Sequence, residues 1–160
     1  EQDKHVLLRF VHKELDDTFL HSGKMYRFRF KVRPIEHSKF PETSSFNIAW
    51  ECWDRRAAHG GVVFIRASRS HWFVGVHARG HASEIKRAIP FEDRQVTWEV
   101  EYKPDPVEGV FIAKLDGATV FEHRGSTTVG DRGPQPLIGL YSGYANGHGF
   151  AYEMIEMEEL

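Results

Sequence analysis

The sequence has little cysteine, no long hydrophobic run and no marked excess of one charge. Cys52 is the only cysteine, which excludes an internal disulfide and a cysteine-rich metal site. No run of about 18 apolar residues occurs, so we expect no membrane span and no membrane partner. The 21 Lys and Arg against 23 Asp and Glu leave a formal charge of −2, so we expect no nucleic-acid partner.

Convincing helix signals and internal repeats are also missing. Gly, Pro and Asp divide the chain about every 8–15 residues, and apolar and polar residues alternate between these breaks. The spacing predicts about nine strands; only Ala82–Ala88 has the composition of a single helical turn. We therefore predict an all-β, two-sheet antiparallel β-sandwich that forms a single domain over residues 1–160. Because the chain begins at Glu1 and not at Met, we expect a processed form or an excised domain.

The strand predicted over Lys24–Arg33 carries a ladder of cations on one side and apolar residues on the other. The strand predicted over Val96–Lys103 turns Glu99 and Glu101 outward, so acidic side chains are available to neutralise the ladder. This pattern favours cross-strand ion pairs over a basic groove for an acidic glycan. Further along the chain, Asp116-Gly117 predicts a two-residue hairpin turn, since both turn positions require positive φ.

A second outward face is predicted to mix aromatic, imidazole, guanidinium, amide and carboxyl groups. Rings stack on the apolar faces of sugars, amides and carboxyls bond hydroxyls, and Arg pairs with carboxylate or sulfate in a planar fork. The pattern therefore predicts a sugar-binding surface; the alternative is a solvated face with scattered aromatic residues. We expect the site to be lined by Arg9, Asn47, Glu51, Trp53, Arg66, His71, His77, Arg79 and Tyr141.

Four stretches resemble those of known polysaccharide lyases. PLIGLYSGY at Pro136–Tyr144 is similar to a late lyase strand with a Gly-x-Tyr, and Val96–Val120 resembles a hairpin that follows a Trp. Ser45–Asp54 occupies the place of a Gln-x-His strand, and His5–Phe10 that of an Arg-rich strand. The chain thus resembles the heparin-lyase-I-like and alginate-lyase-like groups of concanavalin-A-like jelly rolls.

The resemblance implies β-elimination at a uronic acid, with Tyr141 matching the catalytic tyrosine. Arg9 matches the strand arginine, and Asn47 supplies the amide that neutralises the substrate carboxylate. The family histidine has no counterpart at its own position, so His71 or His77 on the neighbouring strand is the expected substitute. The resemblance further implies a secreted or extracellular protein without a cofactor, although some related jelly rolls hold a structural calcium ion in a loop.

Three functions remain open on the sequence alone. The first is a carbohydrate-recognition domain that binds an acidic polysaccharide or oligosaccharide. The second is an active polysaccharide lyase in which Tyr141 and His77 transfer protons. The third is a structural or assembly module whose grooved face packs on another chain.

Overall fold

The fold was taken from a computed structural model, which describes residues 8–9, 20–42, 47–54, 61–77, 84–129, 134–138 and 147–160. These ranges hold eleven strands and a single 3-10 turn, His37–Lys39, so the all-β prediction is confirmed. Within the same ranges, no helix has the length and apolar character needed to cross a membrane.

The strands form two antiparallel sheets that pack face to face. Their bounds are β1 Leu8–Arg9, β2 Tyr26–Ile35, β3 Ile48–Trp53, β4 Gly61–Ala67, β5 His71–Val76, β6 Ile85–Pro90, β7 Val96–Lys103, β8 Gly109–Leu115, β9 Ala118–Gly125, β10 Gln135–Ile138 and β11 Gly149–Glu159. One sheet has six strands in the order β1-β10-β3-β4-β5-β6, and the other has five in the order β11-β2-β7-β8-β9.

The core lies between the sheets and is rich in aromatic rings. Trp50, Trp72 and Trp98 are each at most 1% exposed, and Trp72 and Trp98 meet edge to face with ring centres 5.5 Å apart. In β2 and β7 every second residue is buried, as the period-two alternation predicts for strands with one face on the core. Burial of these large rings supplies the main stabilisation of the sandwich.

The outer face of the five-stranded sheet is covered by ion pairs, as the charge pattern predicts. Arg27 approaches the carboxylates of Glu101 at 3.3 Å and Glu158 at 2.9 Å, on the strands to either side of it. Arg29 bridges Glu99 at 3.2 Å in the same way. Exposed pairs of this kind add little stability each, but they neutralise the cationic ladder. This face therefore has no basic groove among its described residues.

The β8–β9 hairpin also agrees with the sequence prediction. Asp116 and Gly117 both have positive φ, 49° and 86°, which a two-residue turn between twisted strands requires. The Asp116 carboxylate accepts a hydrogen bond from the Thr97 amide at 2.8 Å and from Arg94 Nη1 at 2.8 Å. The turn is thus fixed both by its backbone and by its side chain.

Two local predictions were wrong. The helical turn expected within Ala82–Ala88 is excluded from residue 85 onward, because β6 pairs with β5 from Ile85 to Pro90. In β3 the register shifts between Ile48 and Trp50, so Ala49 is the extra residue of a β-bulge. Ile48 lies opposite Arg66 on the outer face, whereas the alternation of Ile48, Trp50 and Cys52 in the sequence predicts that all three face the core.

Candidate functional site

The outer face of the six-stranded sheet brings together most of the described residues that the sequence predicted for the site. One register row crosses the sheet through the Cα partners Leu137, Glu51, Phe64, Gly75 and Lys86. The next row contains Ile48, Arg66, Phe73 and Ala88. Residues in one row point to the same side of a sheet, so both rows form one continuous surface, here called the groove face.

Arg66 is held flat in the middle of the groove face. Its guanidinium carbon lies 3.9 Å from the centre of the Phe64 ring, and its Nη1 donates to Glu84 Oε1 at 2.8 Å. The Arg66 side chain is only 14% exposed, which strengthens both the cation–π contact and the ion pair. Its Nε is buried and has no hydrogen-bond partner.

Gly75 makes room for the ring that supports Arg66. A Cβ at this position would lie 2.8 Å from Phe64 Cζ and 2.5 Å from the Ile85 carbonyl oxygen. Only a residue without a side chain therefore allows the Phe64 ring to lie across β5. As a result Phe64, although it is on the outer face, is completely buried.

Glu84 connects three cationic or imidazole side chains at the β6 side of the groove face. Its carboxylate accepts from Arg66 and from Lys86 Nζ, the latter at 3.3 Å, and it lies 4.0 Å from His77 Nδ1. Burial acts to raise the pKa of Glu84, but Arg66 and Lys86 lower it below its usual value. Lys86 Nζ also lies 5.3 Å from the centre of the Phe73 ring. The cluster is a fixed arrangement of charges beside a partly exposed aromatic ring.

Glu51 is the most buried carboxyl group on the groove face, at 6% exposure. Its Cα partners are Leu137 on one side and Phe64 on the other, so apolar side chains flank it across the sheet. Burial raises its pKa from the usual 4.5 to about 7, against the opposing effect of the Arg66 charge. Glu51 is therefore a titrating group near neutral pH.

Asn47 was predicted on this surface, and the structure places it elsewhere. The Ala49 bulge reverses the parity of β3, so Asn47 lies opposite Ala67, whose amide donates to the Asn47 carbonyl oxygen at 2.8 Å. Its side-chain Oδ1 contacts His148 Nε2 at 2.9 Å, and both residues are buried. The Asn47–His148 pair belongs to the packing between the sheets.

The other predicted residues divide into those on the groove face and those outside the described residues. Five residues alternate along their strands so that they lie on the outer face: Glu51, Trp53, Arg66, His71 and His77. Of these, Trp53 is half-buried, and His71 is exposed beside Phe73. Tyr141 and Arg79 lie outside the described residues. For Arg9 the backbone alone is described, with its Cα opposite Leu137 at the edge of the sheet.

Sequence reasoning missed three polar residues of this surface. Glu84 and Lys86 were missed because their segment was assigned to a helical turn. Gln135 was missed because the predicted strand began one residue later; it is 4% exposed and lies opposite Trp53. No group of three or more His, Cys, Asp or Glu suited to a metal ion occurs in the part of the chain that is described.

Comparison with known proteins gives similarity in fold only. No protein-family model matches the sequence, and no curated protein matches it significantly. The alginate lyase AlyC3 superposes with a TM-score of 0.65 at 12% identity, over 90% of this chain and 68% of that chain. A family 7 alginate lyase, A1-II′, in complex with product, has a TM-score of 0.70 at 10% identity, over 98% of this chain and 72% of that chain.

The same fold also occurs in a toxin. The binding domain of botulinum neurotoxin serotype D has a TM-score of 0.60 at 4% identity, over 96% of this chain and 37% of that chain. The two antiparallel sheets and these neighbours establish a concanavalin-A-like jelly-roll sandwich like that of family 7 alginate lyases. The expected fold resemblance is thus confirmed.

Proposed function

We propose that the protein is a carbohydrate-recognition domain that binds an acidic polysaccharide across the groove face. The observation that carries this proposal is the Arg66 guanidinium, fixed flat on the Phe64 ring at 3.9 Å with its Nε unpaired. A planar guanidinium presents parallel N–H donors to a carboxylate or sulfate, and its fixed position lowers the entropy cost of binding.

Aromatic groups beside Arg66 support a sugar as the ligand. Phe73 is partly exposed and lies opposite Arg66 in the register, while Trp53 is partly exposed on β3. The exposed ring faces offer flat apolar surface for the C–H face of a pyranose, as aromatic side chains do in other binding sites. The opposite sheet lacks such a surface among its described outward residues, because ion pairs cover it.

The solved neighbours support the class of ligand. The A1-II′ alginate lyase is known in complex with a product and in complex with a substrate, so that protein binds oligosaccharide with the same fold. We extend the class of ligand, an acidic polysaccharide, to this chain as part of the proposal. A secreted or extracellular location goes with it, since acidic polysaccharides of this kind are found outside cells.

Polysaccharide lyase activity is the second candidate, and the ionisable groups of the groove face favour it. β-Elimination at a uronate needs a cation or donor to neutralise the carboxylate, a base for the C5 proton and an acid for the leaving oxygen. Arg66 supplies the cation, and His77, next to Glu84, supplies an imidazole on the same face. Tyr141 is the proposed proton-transfer residue, with His77 as its partner.

One set of incubations separates the two candidates. Oligomers of alginate, glucuronan, hyaluronan and heparin are titrated into the protein by calorimetry, and the same mixtures are followed for the ultraviolet absorbance of an unsaturated uronide. Binding without a rise in absorbance supports the recognition domain, and binding with a rise supports the lyase. No binding to any acidic glycan would refute both.

A further inference from the structure

Gln135 lies on the groove face with its side-chain amide nitrogen buried and without a hydrogen-bond partner, which apolar packing does not account for. It is 4% exposed, and its Nε2 is buried without a hydrogen-bond partner. Leaving a buried amide donor unpaired destabilises a fold, and native proteins keep few such groups. Arg66 Nε, on the same face, is in the same condition. Other buried donors, such as Trp50 Nε1 and Trp98 Nε1 in the core, also lack a partner, but Gln135 Nε2 and Arg66 Nε lie together on the outer face, where a ligand can approach.

The register places these groups on a diagonal line that crosses three strands. Gln135 lies opposite Trp53, which is two residues along β3 from Glu51. Glu51 lies opposite Phe64, which is two residues along β4 from Arg66. Diagonal neighbours of this type have Cα atoms about 7–8 Å apart, so the three polar side chains form a regularly spaced series.

Aromatic side chains form a parallel diagonal immediately beside the polar one. Each ring lies directly opposite one polar residue on the next strand: Trp53 opposite Gln135, Phe64 opposite Glu51, and Phe73 opposite Arg66. Trp53 and Phe73, at the two ends of this diagonal, are partly exposed, whereas Phe64 between them is buried and supports Arg66. Hydrogen-bonding groups beside two partly exposed rings match a sugar chain, which has hydroxyl and carboxyl edges and apolar faces. The two diagonals also define a direction for that chain, oblique to the strands.

We infer that Gln135 is a ligand-contacting residue whose amide donates a hydrogen bond to a carboxylate or hydroxyl oxygen of the glycan, on the diagonal shared with Glu51 and Arg66. This inference rests on the proposed function. Because Nε2 is buried, the contact requires a change of the Gln135 rotamer, which is common for side chains at interfaces. Binding gives the unpaired Gln135 amide a hydrogen-bond acceptor. A ligand without an oxygen at that position should bind more weakly, because the amide would stay unpaired.

The test replaces Gln135 by Leu, which keeps the size and removes the donor. We expect the affinity for an acidic oligosaccharide, measured by calorimetry, to fall about tenfold or more, because one buried donor contact is lost. The melting temperature should stay equal or rise, since an unpaired buried donor is removed. Gln95→Leu is the matched control: the Gln95 amide donates to Glu153 at 2.8 Å on the opposite sheet, and its loss should leave the affinity unchanged.

A second variant keeps the test decisive if Gln135→Leu does not fold. Gln135→Glu has nearly the same shape and replaces the NH₂ donor by a carboxyl oxygen, so it should bind the acidic ligand more weakly than the native protein does. Unchanged affinity in a folded Gln135 variant would overturn this inference and leave the proposed function standing. A native protein that binds no acidic oligosaccharide would overturn the proposed function and this inference with it.

Discussion

The guanidinium carbon of Arg66 lies 3.9 Å from the centre of the Phe64 ring, and both side chains are on the outer face of the six-stranded sheet. The contact fixes the plane of the guanidinium, and the bond to Glu84 at 2.8 Å fixes its rotation. Sandwich proteins do not need such an arrangement for stability, because their core lies between the sheets. A rigid, partly buried cation beside aromatic rings is instead typical of a binding surface.

Glu51→Gln should change how stability depends on pH. Because burial raises the pKa of Glu51 to about 7, the folded protein holds this proton more tightly than the unfolded chain does. Stability from this group is therefore complete below the usual pKa of 4.5 and is lost as pH rises towards 7. At pH 8 the variant should be more stable than the native protein by about 3 kcal/mol, and at pH 4 nearly equal.

Urea unfolding at several pH values measures this difference. Glu156→Gln is a suitable control, since Glu156 is exposed on the opposite sheet and should shift the unfolding free energy by less than about 0.5 kcal/mol. Equal pH dependence in the native protein and in Glu51→Gln would show that Glu51 is ionised in the folded state across this range.

Gly75→Ala should destabilise the groove face. The added methyl group would lie 2.5 Å from the Ile85 carbonyl oxygen and 2.8 Å from Phe64 Cζ, so the ring and the β5–β6 pairing must shift. We expect a loss of about 1–3 kcal/mol in thermal unfolding. Gly149→Ala is the matched control, because nothing lies within 4 Å of a Cβ there. A loss of the same size in both variants would contradict the proposed fit of Phe64 over Gly75.

His148 should make the protein sensitive to acid. Burial lowers its pKa, so the folded state favours the neutral ring that contacts Asn47 at 2.9 Å. Below the usual pKa of 6.5 the unfolded chain binds this proton first, so stability falls as pH drops through the lower folded value. His148→Gln should therefore lose less stability between pH 7.5 and pH 5 than the native protein does. His71→Gln, at an exposed position, is the control. An equal loss of unfolding free energy between pH 7.5 and pH 5 in the native protein and in His148→Gln would rule this out.

Tyr141→Phe and His77→Gln test the lyase candidate. If the protein cleaves a uronate glycan, each change should reduce the rate of unsaturated product about 100-fold or more, because a proton-transfer group is lost. Affinity should change little in Tyr141→Phe, since the ring remains. A protein that cleaves the glycan equally well with both substitutions would require other catalytic groups.

Strand patterning was predictable where a strand has one face on the core and one in water. β2 and β7 follow strict alternation, and Arg27 and Arg29 of β2 lie opposite Glu101 and Glu99 of β7 as predicted. β6 was not recognised because it is an edge strand with almost every residue exposed, so it has no apolar periodicity. An exposed edge strand forms because it pairs with a neighbouring strand, and its own sequence does not show which strand that is.

The site was partly predictable for the same reason. In β4 and β5 the parity placed Arg66, His71 and His77 correctly on the outer face. In β3 the bulge at Ala49 moved Asn47 to the inner side, because a bulge depends on the register with the neighbouring strand, here β4. The close approach of Phe64 to Gly75 likewise arises only when two strands meet.

The central claim is that the groove face binds an acidic glycan through Arg66. The most direct test compares Arg66→Met with Arg29→Met by calorimetric titration of an acidic oligosaccharide. Arg29 is the matched control because it is ion-paired with Glu99 at 3.2 Å on the opposite sheet. We predict that Arg66→Met weakens binding by about tenfold or more while Arg29→Met leaves it unchanged. Equal affinity in both folded variants, or a loss confined to Arg29→Met, would contradict the claim.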